Sequence, residues 1–178
     1  QREHTWGTLA EACERITGIE NLSFGDDLGT FVRDTLLMAS TNQRPQPNPQ
    51  RDTQFDRHAS WGTPSARISA AEGIIGLGRI GDKAEASILS AIDRLSADPV
   101  PAVRYQIAMR LCSLYRSAHD EMWRLIERFC EHERSQSVLH ALAHGTLERL
   151  ASAHPDRASR LAISVLKRVK RSDGENEL

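Results

Sequence analysis

Gly76-Leu77-Gly78-Arg79-Ile80-Gly81 spells G-x-G-x-x-G, the pattern by which a tight turn brings backbone amides against a dinucleotide pyrophosphate. That chemistry needs a buried strand immediately before the first glycine and a parallel sheet around it. The preceding Ala66–Gly73 stretch is rich in Ala, Arg and Glu, which favour helix, and Ile74 and Ile75 alone separate Gly73 from Gly76. The glycines therefore read as a helix end. Gly78 and Gly81 close the helix through the left-handed conformation, and Asp82 caps the next one in a capping-box relation with Glu85. Gly73 and Gly76 then fall inside a helix, where each costs roughly 1 kcal/mol against alanine, and close packing on a neighbour is the usual compensation. A second candidate chemistry is zinc binding by His140, His144 and Glu148 at i, i+4 and i+8, with Cys130 and His132 upstream. The apolar face of that helix is Leu139, Leu142, Ala143, Leu147 and Leu150, so the histidines read as a solvated edge. No serine sits in a nucleophile motif and no carboxylate pair stands out. No catalytic, cofactor-binding or metal-ligating residue is assigned.

Two groups could bind a partner. Phe55, Arg57 and Trp61, with His58, lie in a polar segment, where they either fold back as a cap on the first helix pair or mark a recognition loop. Arg157, Arg160, Arg168 and Arg171, extended by Lys167 and Lys170, form a basic row opposite the apolar face Ala158, Leu161, Ala162, Val165, Leu166 and Val169. Such a row is a solvated helix face or a site for nucleic acid or another acidic partner.

The elements that must position these groups are helical. Strand alternation is missing throughout, whereas helical spacing recurs. Trp6, Leu9, Cys13 and Ile16 form one stripe, and Leu28, Val32, Thr35 and Leu36 a second. Pro45, Pro47 and Pro49 make 42–62 an extended, solvated segment. Helices resume with Thr63 as N-cap and Pro64 in the first position, and run over 64–78, 82–96, 99–116, 120–133, 135–152 and 155–171. The organisation is a helix pair (1–41), a proline-rich linker or loop (42–62), helical repeats (63–171) and a polar tail (172–178). The chain has 178 residues, 39% hydrophobic and 26% charged, with net charge −1 and pI near 6.7. This balance gives no global electrostatic attraction to nucleic acid or an anionic membrane, and no apolar run reaches membrane-spanning length. Cys13, Cys112 and Cys130 are odd in number and scattered at helical spacing, which suits buried thiols in a reducing, cytoplasmic compartment. A chain opening on Gln1 reads as an excised or processed piece.

The chain also repeats. Pro64–Leu77 aligns with Pro101–Leu114 at an offset of 37 residues, matching Arg67 to Arg104, Ala71 to Ala108 and Leu77 to Leu114. Arg33 in Phe31–Ala39 extends the series backward. Val138 and Ala143 carry it forward, with Leu139 in the arginine's place. A period of this length holding two helices is the mark of an α-solenoid.

Arg67, Ala70, Ala71, Leu77, Gly81, Asp82, Asp98, Pro99, Val103, Arg104 and Ala108 together resemble the HEAT-repeat pattern, including its short phycobilisome-lyase variant. More loosely, the arrangement resembles the helical-repeat parts of large bacterial multidomain proteins, some of them NTPase-driven. The resemblance implies an all-α, right-handed superhelix of HEAT-like (armadillo-type) hairpins. It further implies a structural polar ladder of Asp98, Arg67 and Arg104, incomplete because Trp61 stands where the first repeat's aspartate belongs. The function expected is a non-catalytic scaffold that binds a protein or neighbouring domains of a longer chain. A HEAT-like nucleic-acid-binding or base-repair module and a chromophore-lyase-like protein are the alternatives.

Overall fold

The computed structural model describes residues 2–19 and 21–175, and the side chains of 3–19 and 21–169. Its elements are α1 (Arg2–Ile16), α2 (Asp27–Ala39), α3 (Pro49–Arg57), α4 (Ala66–Leu77), α5 (Ala86–Ser96), α6 (Pro101–Arg110), α7 (His119–His132), α8 (Gln136–Ala141), α9 (Glu148–Leu150) and α10 (Pro155–Glu175). A 3-10 turn, Leu111–Leu114, prolongs α6, and a π-helical turn, Leu142–Leu147, joins α8 to α9. The protein is all-α, with no strand among the described residues. None of the described helices is long and apolar enough to cross a membrane.

The helices form two layers. α1 packs on α4, α4 on α6, and α6 on α8 and the π turn; behind them α2 lies against α1 and α4, α5 against α4 and α6, α7 against the 3-10 turn and α10, and α10 against the π turn, α7, α8 and α9. The core between the layers is aliphatic: Val32, Leu36, Ile74, Ile88, Ile92, Leu95, Ile107, Leu111 and Ile126 are fully buried. Each such side chain contributes about 1.5–3 kcal/mol relative to exposure.

Several local expectations change. Gly78 closes α4 in ordinary right-handed geometry (φ −59°, ψ −18°); of the two turn glycines, Gly81 takes positive φ (79°). Gly78 is needed for space, because a Cβ there would stand 2.4 Å from Leu114 Cδ2. Gly73 and Gly76 likewise admit Leu36 and Thr17, with would-be Cβ contacts of 2.7 and 2.8 Å. They let α4 approach α2 and the end of α1. The Asp82–Glu85 capping box does not form: Glu85 is itself the N-cap of α5 and its side chain caps nothing. α4 starts at Ala66 with Ser65 as N-cap, so Thr63 and Pro64 precede it.

The segment 42–62 is not extended throughout. Asn48 accepts from the Gln50 and Arg51 amides, Pro49 occupies the first helical position it tolerates, and α3 follows. At the other end α10 runs through Glu175, past the expected start of the tail; 176–178 and the Lys170 and Arg171 side chains lie outside the described residues.

Candidate functional site

Two sets of arginines tie the hairpins together. In the first layer Arg67 forms an ion pair with Asp98: Nη2 donates to Asp98 Oδ1 (3.3 Å) and to the Pro45 carbonyl (2.5 Å), and Nη1 donates to the Asn42 carbonyl (2.9 Å). Arg104 donates to the Asp98 carbonyl (2.7 Å) and binds Glu133 through two bonds of 2.7 and 2.8 Å. Asp98 Oδ1 accepts from the Val100 amide; Glu133 Oε1 accepts from the Arg134 and Ser135 amides. The three residues expected to form the ladder are therefore brought together. Glu133 joins them through Arg104, and the Asn42 and Pro45 carbonyls take further Arg67 donors.

The second set has no counterpart in the sequence reading. Arg94 donates to the Ser40 carbonyl (3.0 Å) and hydroxyl (2.7 Å), just past the end of α2. Arg128 donates to the Asp93 carbonyl (3.1 Å) and the Ser96 hydroxyl at the end of α5. Arg168 donates to the Cys130 carbonyl (2.6 Å) and the Glu133 carbonyl at the end of α7. Each second-layer helix thus supplies a cation to the orphan carbonyls and negative dipole end of the one before. Hydrogen bonds from Arg124, together with the Arg128 charge, hold the Asp93 carboxyl below its usual range.

The basic row on α10 is consequently not a row facing solvent. Arg157 binds Glu127 (2.7 Å) and lies 4.2 Å over the Trp123 ring, and Arg168 caps α7; Arg160 stays exposed. Arg168→Ala is expected to lose about 1–3 kcal/mol by stranding buried carbonyls, whereas Arg160→Glu should move stability by less than about 0.5 kcal/mol. Urea titration of the two variants checks this, and equal midpoints would refute the capping role.

Phe55 and Trp61 do fold back, but onto α6 and not onto the first helix pair. Phe55 is buried, edge-on to Tyr105 with centroids 5.7 Å apart, and Trp61 is 5.8 Å from the same ring. Asp56 then accepts from the Ser135 hydroxyl and the Ser137 amide at the start of α8, and the Ser137 hydroxyl donates to the Phe55 carbonyl (2.7 Å). Arg57 and His58 border a cleft beside α8. The His140 and His144 rings are 4.5 Å apart, and His144 pairs with Glu148 at 3.2 Å. Among the described residues no group of three or more His, Cys, Asp or Glu is placed to hold a metal ion.

One cavity crosses consecutive hairpins. It has a volume of about 490 Å³ on the first-layer face, between Glu14 of α1 and Thr17 just past it, Glu72 and Gly76 of α4, Arg110 at the end of α6, Ser113 of the 3-10 turn, and Arg149 of α9. Arg79 also lines it and donates to the Thr17 carbonyl (2.7 Å); Arg110 binds Glu72 at 2.5 Å. Burial, reinforced by the nearby Glu72 carboxylate, pushes the Glu14 carboxyl up. Burial raises the Cys13 thiol and raises Cys130 to about 12, so neither offers a thiolate. The sequence reading missed this cavity. Its residues lie far apart in the chain, and only the stacking of α1, α4 and α6 collects them.

Comparison with family models, with curated proteins and with solved structures finds no match.

Proposed function

We propose that this chain is a non-catalytic recognition module, a right-handed α-solenoid of HEAT-like hairpins that binds a protein partner on its first-layer face. The observation that carries the reading is the cavity between Glu14, Glu72, Arg110 and Arg149, which only the stacking of several hairpins creates. A surface assembled from successive repeats is how solenoids recognise partners. The repeat reading draws support from the ladder, in which Arg67 and Arg104 donate to successive turns. It also draws on Ser113 bonding the Ile75 carbonyl and Thr146 the Ala108 carbonyl, both across 38 residues. The wall carries both signs of charge, which suits a polar peptide surface better than a continuous phosphate backbone.

Photo-cross-linking tests it. A cross-linker at Ser113 should capture a protein, and one at exposed Asp120 on α7 should not. Arg149 is exposed and pairs with no carboxylate among the described residues, so Arg149→Glu should abolish capture without altering stability. Capture of nucleic acid, lost on raising salt, would favour the nucleic-acid reading. Equal capture from both positions would defeat the assignment of this face.

A further inference from the structure

The first-layer cavity holds more positive charge than its own carboxylates balance. Arg15, Arg79, Arg110 and Arg149 line it, against Glu14 and Glu72. Two of these arginines are engaged, Arg15 by Glu11 at 2.7 Å and Arg110 by Glu72 at 2.5 Å. Arg79 gives one donor to the Thr17 carbonyl, and neither it nor Arg149 meets a carboxylate among the described residues. Both are exposed, so their planar forks keep donors to offer to an incoming group.

Glu14 is the group that can change this balance. Its carboxyl, on α1, hydrogen-bonds the carboxyl of Glu72 on α4, which requires a proton between the two. Burial, and then the Glu72 charge, push the Glu14 carboxyl up, against smaller opposite pulls from Arg110 and Arg15. With Arg15 and Arg110 paired, a neutral Glu14 leaves the guanidiniums of Arg79 and Arg149 uncompensated, and an ionised Glu14 offsets one of them. Either balance calls for an anion. A guanidinium takes a carboxylate through two parallel bonds, whereas a dianionic phosphate would meet the Glu14 and Glu72 carboxyls in the same wall.

We propose that the cavity binds an acidic side chain of the protein partner, its carboxylate held by Arg149 with Arg79 in the same wall, and that Glu14 governs this binding by taking up or losing a proton. The inference rests on the recognition role of the first-layer face and adds to it the chemical group bound and the group that regulates it. The sign follows from the wall. A protonated Glu14 no longer repels the incoming carboxylate, so binding tightens as pH falls. Glu14 titrates above the usual carboxylate range, so its charge comes off between about pH 7 and about pH 5, where a free glutamate side chain is still ionised.

The test is a nuclear magnetic resonance titration of the whole chain, read at the arginine Nε–H signals. The probes are N-acetyl-glutamate N-methylamide, its glutamine counterpart and inorganic phosphate. The glutamate probe should shift the Arg149 signal saturably and the glutamine probe should not. Arg149→Gln should remove the binding, and lowering the pH from about 7 to about 5 should tighten it roughly threefold to tenfold. Glu14→Gln should bind at neutral pH as wild type does in acid and lose most of the pH dependence. Glu14→Met replaces it if that variant loses its helical circular-dichroism spectrum. No saturable shift, an equal shift by the glutamine probe, or tighter binding of phosphate would overturn the carboxylate assignment. Tightening in acid that persists in the Glu14 variant would overturn the role of Glu14. Cross-linking from Ser113 separates the two readings: protein captured there by a chain that ignores the glutamate probe leaves the recognition face standing and defeats this inference alone.

Discussion

Replacing Arg104 with methionine should destabilise the protein by about 3–5 kcal/mol, the range for removing one partner of a buried ion pair. Glu133 has a side chain only 3% exposed, and its charge is balanced by Arg104 and by the Arg134 and Ser135 amides. Methionine keeps much of the arginine's apolar contact and deletes both charge-assisted bonds, so a buried carboxylate is left without its cation. The Asp98 carbonyl loses a donor in the same change. Chemical denaturation should show the loss in the midpoint. Adding Glu133→Gln to the same protein should restore part of it, because the orphaned charge is then gone. A loss below about 1 kcal/mol, or no recovery in the double variant, would show that the bond network is not what holds this turn.

Gly145→Ala is expected to cost about 3 kcal/mol or to prevent folding, at the upper end for overpacking. A Cβ at 145 would lie 2.2 Å from the Met109 carbonyl oxygen and 2.3 Å from its sulfur, and the backbone of α6 cannot swing aside as a side-chain tip can. The Thr146 hydroxyl on the Ala108 carbonyl and the Cys112 thiol on the Gly145 carbonyl fix the π turn against α6 at this distance. Gly62→Ala is the control: no atom lies within 4 Å of the added methyl, and the change should be near neutral. Comparing the two melting temperatures decides the matter, and similar values would mean that the helices can separate at little expense.

The helices could be read because apolar spacing is strong in each, and the ladder arginines because Arg67 and Arg104 keep one offset with identical neighbours. Glu133 escaped detection because the same offset from Asp98 lands on Ser135, two residues too far. The capping arginines Arg94, Arg128 and Arg168 escaped because their separations drift, at 34 and 40 residues, so no fixed period exposes them. α3 was hidden by its own prolines. Alternating Pro45, Pro47 and Pro49 argue for extended chain, and only the position of Pro49 behind an Asn48 cap reverses that locally. The basic face of α10 misled for a different reason. Helical spacing says which side chains share a stripe, but an arginine long enough to reach a neighbour's carbonyl is no longer a surface charge.

The fold-back of 42–62 changes how the stack must come apart. Hairpins touching only their neighbours would unfold piecemeal, each free to fray from an end. Here Asp56 and the Phe55 carbonyl grip Ser135 and Ser137 across 79 to 82 residues, while Arg67 holds the Asn42 and Pro45 carbonyls at the other end of the same segment. Releasing α8 therefore unseats a strap that is also anchored beside α4. The early half of the chain shares the fate of the late half, and a modular architecture gains the cooperativity of a single unit.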